Sequence, residues 1–445
     1  MTGILGIYAF DERWRIASFG RYGLLALQHR GQENAGLVTL ALGKGFQECR
    51  GSGWVEDAIS EERIREMKGH ICVGQVSPYE VSEEYIQPLM LRGSKPLAFT
   101  LDGRIVKIDG YVWNEGLGYE ANILRALSEH MEGEKDALEG FKSFVARCRG
   151  GFSFVALLSD GTMLAGRDPL GVKPLALGKI GFDAAVVASE TCATDTVGER
   201  MPVSPAENIE PGEMRIFTPL SARSEGLFKG CSRRAFCAFE YVYLARPDSY
   251  VNDLPVYGIR KAIGEILFKE APAEADVVIG VPETAIPFAY SYAYRSGLPV
   301  EKGFEQTGRR VRSAIKPTQF ERLKGVQLKL NVVSEAVKGR RIVLIDDSVV
   351  RGNTLANIVY LMKEKGAKEI HVRIGSPPIT NPCPFGTEVP PEDELIGRHL
   401  SEERIAEVVG ADSFHYLTLR GLCEAIGLPR DSLCLGCFTG TYPEV

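Results

Sequence analysis

Residues 341–355 read R-I-V-L-I-D-D-S-V-V-R-G-N-T-L. The aliphatic run 342–345 predicts a short strand buried on both faces of a parallel sheet. Leu355, Ile358, Val359 and Met362 then recur at helical spacing until Gly366, which predicts a helix that ends there. The chain is thus expected to pass from a buried strand through a tight turn into a helix.

Two acids end the predicted strand. Asp346 and Asp347 lie at the carboxyl edge of the expected sheet, where open α/β sheets bind their ligands. Backbone N–H groups at the start of the helix, the hydroxyls of Ser348 and Thr354, and a close approach at Gly352 suit a sugar phosphate. The carboxylates would repel that anion, so ribose hydroxyls or a Mg²⁺ that bridges to pyrophosphate are their expected partners. The alternative is an acidic loop that merely caps a helix; strand, acid pair, loop and helix together favour the binding site.

The residues of this strand, turn and helix start resemble a motif of a known family. Residues 341–354 resemble the phosphoribosyl pyrophosphate (PRPP) motif of the type I phosphoribosyltransferases, and the whole chain resembles the amidophosphoribosyltransferases of purine synthesis. The resemblance extends over nearly all 445 residues. Its other segments are Q-H-R-G-Q-E-N-A-G from Gln28, G-R-D-P-L-G-V-K-P-L from Gly166, A-S-E-T-C-A from Ala188, F-E-Y-V-Y-L-A-R-P-D-S from Phe239, P-T-Q from Pro317, K-L-N from Lys329 and C-L-G-C-F-T-G from Cys434.

The length of the chain and its pattern of predicted strands and helices indicate two domains. A chain of 445 residues is too long for one core. The first half alternates short apolar runs with Gly and Pro turns, with helical patterns at 21–29 and 120–131, whereas strands alternate with helices from Arg233 onward. The resemblance implies an N-terminal-nucleophile (Ntn) hydrolase αββα sandwich over residues 1–230. It implies a type I phosphoribosyltransferase domain with a parallel sheet and a C-terminal cysteine cluster over residues 231–445.

Composition excludes several classes of protein. The net charge is −6 without a long basic run, so no nucleic-acid surface is expected. No apolar stretch approaches the roughly 20 residues that cross a membrane, and the N-terminus does not read as a signal peptide. We therefore expect a cytoplasmic protein. Ten cysteines over this length do not form a dense disulfide framework, which leaves metal binding or plain burial.

The expected glutaminase site has lost several of the residues that the resemblance implies. The family nucleophile is an N-terminal cysteine, and this chain has Thr2 there. Ser77 replaces the arginine that holds the substrate carboxylate, and Asp102, before Gly103, replaces the asparagine that stabilises the oxyanion. A carboxylate would repel the oxyanion, and loss of one donor alone costs about 3 kcal/mol. The acid expected near Gly118 is also missing, so we predict a degenerate site without glutaminase activity. The retained Arg30, Gly31, Arg167, Asp168 and Glu190 are interpreted as scaffold.

The resemblance also assigns the second-half site. It makes Pro282–Ala285 the pyrophosphate loop, with Thr284 as a magnesium ligand beside Asp346 and Asp347. These two acids and Arg312 are the expected catalytic residues. The residues expected to bind PRPP are Asp346, Asp347, Ser348, Val349, Val350, Arg351, Gly352, Asn353, Thr354, Glu283, Thr284 and Lys329.

Residues 303–317 match in length the loop that closes over PRPP in the family. The family's K-N-R-Y-V-G-R-T reads Q-T-G-R-R-V-R-S from Gln306, so the lysine is missing and Arg312 is the retained arginine. Clustered arginines offer charge-assisted hydrogen bonds to pyrophosphate. The alternative is a solvated basic turn.

The carboxyl terminus carries a C-x-x-C at Cys434 and Cys437. This spacing serves zinc, redox pairs and clusters alike. The resemblance to the iron–sulfur branch of the family adds Cys237 and Cys383, and it favours a [4Fe–4S] cluster over zinc or buried free cysteines.

Together these features predict a Mg²⁺-dependent enzyme that displaces pyrophosphate from PRPP with ammonia, giving 5-phosphoribosylamine for purine synthesis. The ammonia would be free or supplied by a separate glutaminase. The alternatives are a PRPP transferase that uses another amine and a PRPP-binding regulatory protein without catalysis. By family analogy we expect purine nucleotides as regulators and a homo-oligomer, a dimer or tetramer.

Overall fold

The computed structural model describes residues 2–197, 206–228, 233–306 and 330–444. The predicted domain boundary at 230/231 falls outside these ranges, and so do Arg312 and Lys329. Across the described ranges, no helix has the length and apolar content needed to span a bilayer.

The described front half is built from two antiparallel sheets and flanking helices. Its strands are β1 (Gly3–Ala9), β2 (Asn34–Ala41), β3 (Gly45–Ser52), β4 (Ile71–Ser77), β5 (Leu89–Leu91), β6 (Leu97–Ile108), β7 (Cys148–Leu158), β8 (Met163–Arg167), β9 (Ala176–Ile180), β10 (Ala184–Ala188), β11 (Glu207–Asn208), β12 (Glu213–Thr218) and β13 (Ser221–Gly226). Its helices are α1 (Ala17–Ala26), α2 (Val55–Ala58), α3 (Glu61–Glu66), α4 (Tyr119–Gly133), α5 (Ala137–Arg147) and α6 (Thr191–Val197).

Three apolar layers hold these elements together. The order of the first sheet is β11-β9-β10-β1-β4-β2-β3, and that of the second is β13-β12-β8-β7-β6-β5. Side chains such as Tyr8, Val155 and Phe217 fill the space between the sheets. Helices α1, α2, α3 and α6 cover the outer face of the first sheet, and α4 and α5 cover that of the second. The front half is therefore an αββα sandwich, as predicted.

Two helix predictions for the front half need correction. The pattern at 21–29 belongs to a helix that starts earlier and ends at Ala26, and residues 28–30 form a separate 3₁₀ turn. Helix α5 was not predicted. Asp136 caps it by accepting from the Glu139 N–H at 2.8 Å. Gly140 interrupts the apolar pattern of this helix in the sequence, so the pattern was not recognised as helical. In the structure, Phe141, Phe144 and Val145 form the apolar face of the helix and pack against the second sheet.

The second half is built around a parallel sheet of four strands. The described strands of the whole second half are β14 (Phe236–Cys237), β15 (Tyr250–Val251), β16 (Leu254–Pro255), β17 (Val277–Gly280), β18 (Phe304–Gln306), β19 (Leu330–Val332), β20 (Arg341–Asp346), β21 (Glu369–Ile374), β22 (Ser413–Tyr416) and β23 (Leu433–Cys434). Its helices are α7 (Val256–Glu270), α8 (Ile286–Ser296), α9 (Ser334–Val337), α10 (Asn353–Glu364), α11 (Ile396–His399), α12 (Glu402–Val409), α13 (Leu419–Ile426) and α14 (Gly436–Thr439).

The predicted strand at 342–345 is the interior of β20, in a parallel sheet of order β17-β20-β21-β22. Its four aliphatic side chains are fully buried, which stabilises the fold by about 1.5 to 3 kcal/mol each. Helices α7, α8 and α13 contribute to the core on one face, and α10 and α12 to the core on the other. The predicted parallel sheet is therefore confirmed, with the acids of β20 at its carboxyl edge.

Candidate functional site

The carboxyl edge of the parallel sheet brings together the predicted PRPP residues that lie in the described ranges, which do not include Lys329. Val281 donates its N–H to the Ile345 carbonyl at 2.8 Å, and Gly375 donates to the Asp346 carbonyl at 2.8 Å. Residues 282–285, which join β17 to α8, therefore lie beside the loop at 346–354, here called the acidic loop. In the first of these segments Glu283 is exposed and Thr284 is half-buried.

The two acids of the acidic loop interact closely. The Asp347 N–H donates to Asp346 Oδ1 at 2.9 Å, and the Ser348 hydroxyl donates to Asp347 Oδ1 at 2.7 Å. Burial, together with the neighbouring Asp347 carboxylate, raises the pKa of Asp346 well above its ordinary value. Two like charges this close favour a shared cation, which would remove the repulsion between them.

The rest of the acidic loop turns into α10. Gly352 has a φ of 77°, and a Cβ built on it would lie 2.9 Å from Ile396 Cδ1. The Ile396 N–H donates to the Val350 carbonyl at 3.0 Å, and Arg351 forms an ion pair with Glu394. Contacts with residues 394–396 thus fix the loop, Val349 is buried, and Asn353 and Thr354 are exposed at the start of the helix.

The predicted glutaminase residues also come together, in the interior of the molecule. Thr2 is 4% exposed, and its hydroxyl lies 2.9 Å from the Leu101 carbonyl oxygen and 3.0 Å from Asp102 Oδ1. The Thr2 N–H lies 3.2 Å from the same carboxylate oxygen. Ser77 ends β4, one residue beyond the Val76 that pairs with Gly3, and its hydroxyl accepts from the Tyr79 N–H at 3.2 Å.

Gly103 follows Asp102 in β6 at a φ of 91°. A Cβ built on Gly103 would lie 2.1 Å from the Gly151 carbonyl oxygen and 2.8 Å from Lys173 Cγ. Glycine is therefore required here by the neighbouring strand and by a buried lysine side chain.

Arg30 lies at the centre of this interior site and uses all five of its N–H donors. Nε donates to the Thr2 carbonyl at 2.9 Å; Nη1 donates to Glu190 at 2.7 Å and to Glu240 at 3.1 Å; Nη2 donates to Asp102 and to Glu240, both at 3.0 Å. His29 Nε2 lies 2.7 Å from Glu190. We call Arg30, Asp102, Glu190, Glu240 and His29 the Arg30 cluster.

In the Arg30 cluster, one guanidinium lies against three buried carboxylates. Burial alone would raise the pKa of Glu190, but His29 and Arg30 more than offset burial and hold that pKa below its ordinary value. Glu190 also accepts from the Arg246 N–H and from the Ser249 hydroxyl, each at 2.8 Å. Glu240, Arg246 and Ser249 belong to the second half of the chain, so the cluster joins the two halves.

Other retained front-half residues serve the fold. Arg167 donates to the carbonyls of Ile209 and Gly171, at 2.9 and 2.7 Å. Asp168 accepts from three backbone N–H groups of the adjacent turn and strand, and burial raises its pKa to about 6. These contacts agree with the interpretation of both residues as scaffold.

The four predicted cluster cysteines line one cavity. Strands β14 and β23 run parallel and place Cys237 opposite Cys434. Cys383 and Cys437 complete the set, and the remaining lining residues are Phe239, Ile379, Thr387, Val389 and Tyr442. Burial raises the pKa of the Cys434 thiol to about 11. Within the described residues, no group of three or more His, Cys, Asp or Glu side chains surrounds a position for one metal ion.

Several ionisable residues of the interior were not predicted from the sequence. Glu240, Lys173 and Arg260 are buried, and His29 is partly buried. Arg260 donates to the carbonyls of Tyr241 and Ala245 at 3.0 and 2.7 Å. Burial lowers the pKa of Arg260 to about 10, against the opposing effect of the Asp347 carboxylate. A charged residue inside a segment such as V-Y-G-I-R-K-A-I-G or G-V-K-P-L is the signal that would have drawn attention to them.

Comparison with known proteins agrees with this architecture. The phosphoribosyl transferase domain family matches residues 252–374, which include β17, β20 and the acidic loop. The second half is therefore of the phosphoribosyltransferase class.

Whole-chain relatives are more specific. An amidophosphoribosyltransferase of Methanothermobacter thermautotrophicus is 38% identical over 99% of this chain and 94% of its own length. One from Bacillus subtilis is 36% identical over the same shares of the two chains. The solved structure of the B. subtilis glutamine PRPP amidotransferase, complexed with ADP and GMP, is 35% identical with a TM-score of 0.88, covering 100% of this chain and 97% of that one. The chain belongs to the amidophosphoribosyltransferase family.

Proposed function

We propose that this protein displaces pyrophosphate from PRPP with ammonia, giving 5-phosphoribosylamine for purine biosynthesis, and that its front domain has no glutaminase activity of its own. The observation that carries the transferase proposal is the placement of Asp346 and Asp347 beside residues 282–285 at the carboxyl edge of the sheet. The family relationship supplies the class of substrate.

The chemistry asked of these residues is positioning and charge stabilisation. The N–H groups and hydroxyls of the acidic loop would bind the sugar phosphate. Asp346 and Asp347 would bind ribose hydroxyls and, with Thr284, hold Mg²⁺. Bound Mg²⁺ would neutralise the leaving pyrophosphate. The amine nitrogen forms its bond to C1 as the C1–O bond breaks, the electron pair leaves with pyrophosphate, and the surplus amine proton passes to solvent. Arg312 and Lys329, outside the described residues, remain predicted members of this site.

The Arg30 cluster supports the proposal that the glutaminase is inactive. A glutaminase needs hydrogen-bond donors aimed at the oxyanion, but at this site the Asp102 carboxylate accepts from Thr2 and from Arg30. All five N–H donors of Arg30 are used inside the protein, so it offers none to a substrate carboxylate. Ammonia must then come from solution or from a separate glutaminase.

The cysteine cavity supports a cluster. Four cysteine thiols around one cavity suit zinc or a [4Fe–4S] cluster, and the family resemblance favours iron. A [4Fe–4S] cubane binds each thiolate through a different iron, so it accommodates cysteines spread around a cavity. We therefore propose a [4Fe–4S] cluster on Cys237, Cys383, Cys434 and Cys437, which would fasten the C-terminus to β14. Anaerobically purified protein should contain iron and absorb broadly in the visible range, and Cys434→Ser should lose both; iron-free, colourless protein would end this proposal.

Regulation is proposed from the relatives. The B. subtilis structure contains ADP and GMP, and we propose that purine nucleotides also regulate this chain. The homo-oligomer and the cytoplasmic location remain predictions.

One assay tests the transferase proposal. Pyrophosphate release from PRPP is measured with Mg²⁺ and either ammonium or glutamine, in wild type and in Thr2→Ala. We expect release with ammonium in both proteins and none above background with glutamine. PRPP binding without release under any amine would identify a regulatory protein, and release with another amine alone would identify a different transferase.

A further inference from the structure

Lys173 is a buried cation that the proposed reaction does not use. It lies in the loop between β8 and β9 and is 0% exposed. A buried ammonium is costly unless negative groups surround it. Its Nζ donates to the Thr387 hydroxyl at 3.3 Å, and Thr387 lines the cysteine cavity. The lysine of the front half thus reaches the wall of a cavity built by the second half.

Four acidic groups act electrostatically on this ammonium. Burial alone would lower the pKa of Lys173, but four groups more than offset burial and hold the pKa above its ordinary value: Cys237, Asp102, Glu240 and Cys383. Asp102 and Glu240 are members of the Arg30 cluster, and the two cysteines face the cavity. Lys173 therefore interacts electrostatically with groups of both the Arg30 cluster and the cysteine cavity, and it contacts the cavity wall through Thr387.

A positive charge close to the cavity would stabilise its thiols once they are ionised. Its other lining residues are mostly apolar, and they include Phe239, Ile379 and Val389. A [4Fe–4S] cluster on four thiolates carries a net negative charge, and reduction adds one more electron to it. In a poorly solvated cavity, a fixed cation lowers the energy of the reduced state more than that of the oxidised state.

We propose that Lys173 is a positioning residue for this cluster, a buried counter-charge that raises the reduction potential and retains the cluster against oxidative loss. This inference rests on the proposed [4Fe–4S] cluster. It also gives Gly103 and Thr387 a purpose, since Gly103 leaves room for the lysine stem and Thr387 orients the ammonium. The cluster and the former glutaminase site would then be electrostatically coupled through one side chain.

The test compares full-length wild type, Lys173→Met and Lys173→Arg, purified anaerobically. Iron content is measured first, then the midpoint potential by redox titration followed by electron paramagnetic resonance, then the half-life of visible absorbance in air. Lys173→Met should shift the redox equilibrium at least about tenfold toward the oxidised cluster, which is 59 mV lower for a one-electron couple. It should also bleach faster in air. Lys173→Arg keeps the charge and should stay near wild type in potential.

A second variant carries a prediction of opposite sign. Glu240→Gln removes a carboxylate that partly neutralises Lys173, so its cluster should have a higher potential than wild type. This variant also decides the matter if Lys173→Met does not fold. A wild-type cluster whose potential is unmoved by Lys173→Met, or by Glu240→Gln, overturns the role of Lys173 alone. Wild-type protein without iron would overturn both the proposed cluster and the proposed role of Lys173. The proposed release of pyrophosphate from PRPP does not depend on that result.

Discussion

The Arg30 cluster and the acidic loop both hold carboxylates, and they differ in what pairs with them. In the Arg30 cluster, one guanidinium and the His29 ring bind three carboxylates that come from both halves of the chain. In the acidic loop, two adjacent acids share one edge of the sheet, and the pKa of Asp346 is raised by burial and by its neighbour. The carboxylates of the first site are paired inside the protein, whereas we predict that those of the second site are stabilised by an added cation. This is the contrast expected between a structural polar core and a binding site.

The largest expected effect is a loss of stability when the Arg30 cluster loses its guanidinium. Arg30→Met leaves Asp102, Glu190 and Glu240 buried without their guanidinium, and loss of one partner of a buried ion pair costs about 3 to 5 kcal/mol. Urea unfolding should show this loss of stability. Arg65→Met, at an exposed position paired only with Glu61 in its helix, is the control and should cost less than about 0.5 kcal/mol. Equal stabilities of the two variants would contradict a structural role for the cluster.

The next effect tests the second half. Asp347→Asn keeps an acceptor for the Ser348 hydroxyl but removes one of the two charges that we propose to hold Mg²⁺. We expect the rate of ammonia-dependent pyrophosphate release to fall by about 100-fold, because metal stabilisation of the leaving group is worth several kcal/mol. Asp431→Asn, at an exposed position, is the control. Full activity of Asp347→Asn would remove this acid from the site.

A smaller effect concerns the shape of the acidic loop. Gly352→Ala and Gly427→Ala impose the same backbone strain, at φ of 77° and 76°, but only the first Cβ meets a neighbour, Ile396 Cδ1 at 2.9 Å. Both variants should lose about 1 kcal/mol of stability. PRPP affinity, measured by calorimetry with Mg²⁺, should fall about tenfold in Gly352→Ala and stay near wild type in Gly427→Ala. Matched affinities in the two variants would show that the loop does not hold the sugar phosphate.

The smallest effect is a pH dependence of the Arg30 cluster. Because the pKa of Glu190 is lowered in the folded state, its stabilising contribution is present above its ordinary pKa of 4.5 and is lost as the pH falls through the folded value. Glu190→Gln should therefore be less stable than wild type at pH 7, and this gap should narrow by roughly 1 kcal/mol at pH 4. Unfolding of wild type, Glu190→Gln and the exposed-site control Glu132→Gln measures it. A gap that widens at pH 4 would contradict the ionised state of Glu190.

More of the acidic loop than of the Arg30 cluster could be predicted from the sequence. The strand, the acid pair, the turn at Gly352 and α10 are contiguous, so local periodicity and turn chemistry predict them. The Arg30 cluster joins residues up to 210 positions apart, as between Arg30 and Glu240, and no local pattern encodes such a contact. The family residues replaced by Thr2, Ser77 and Asp102 led to the prediction of an inactive glutaminase site. They did not predict the ion pairs that the structure shows there. Lys173 went unnoticed for the same reason, because Thr387 is distant in the chain.

The most direct measurement is glutamate release from glutamine by the purified protein in the presence of PRPP and Mg²⁺. Ammonium-dependent pyrophosphate release in the same preparation shows that the second site is competent. We predict no glutamate above the background of Thr2→Ala. Steady glutamate turnover that Thr2→Ala abolishes would contradict the account, because it would show that the buried, internally hydrogen-bonded site still performs its reaction.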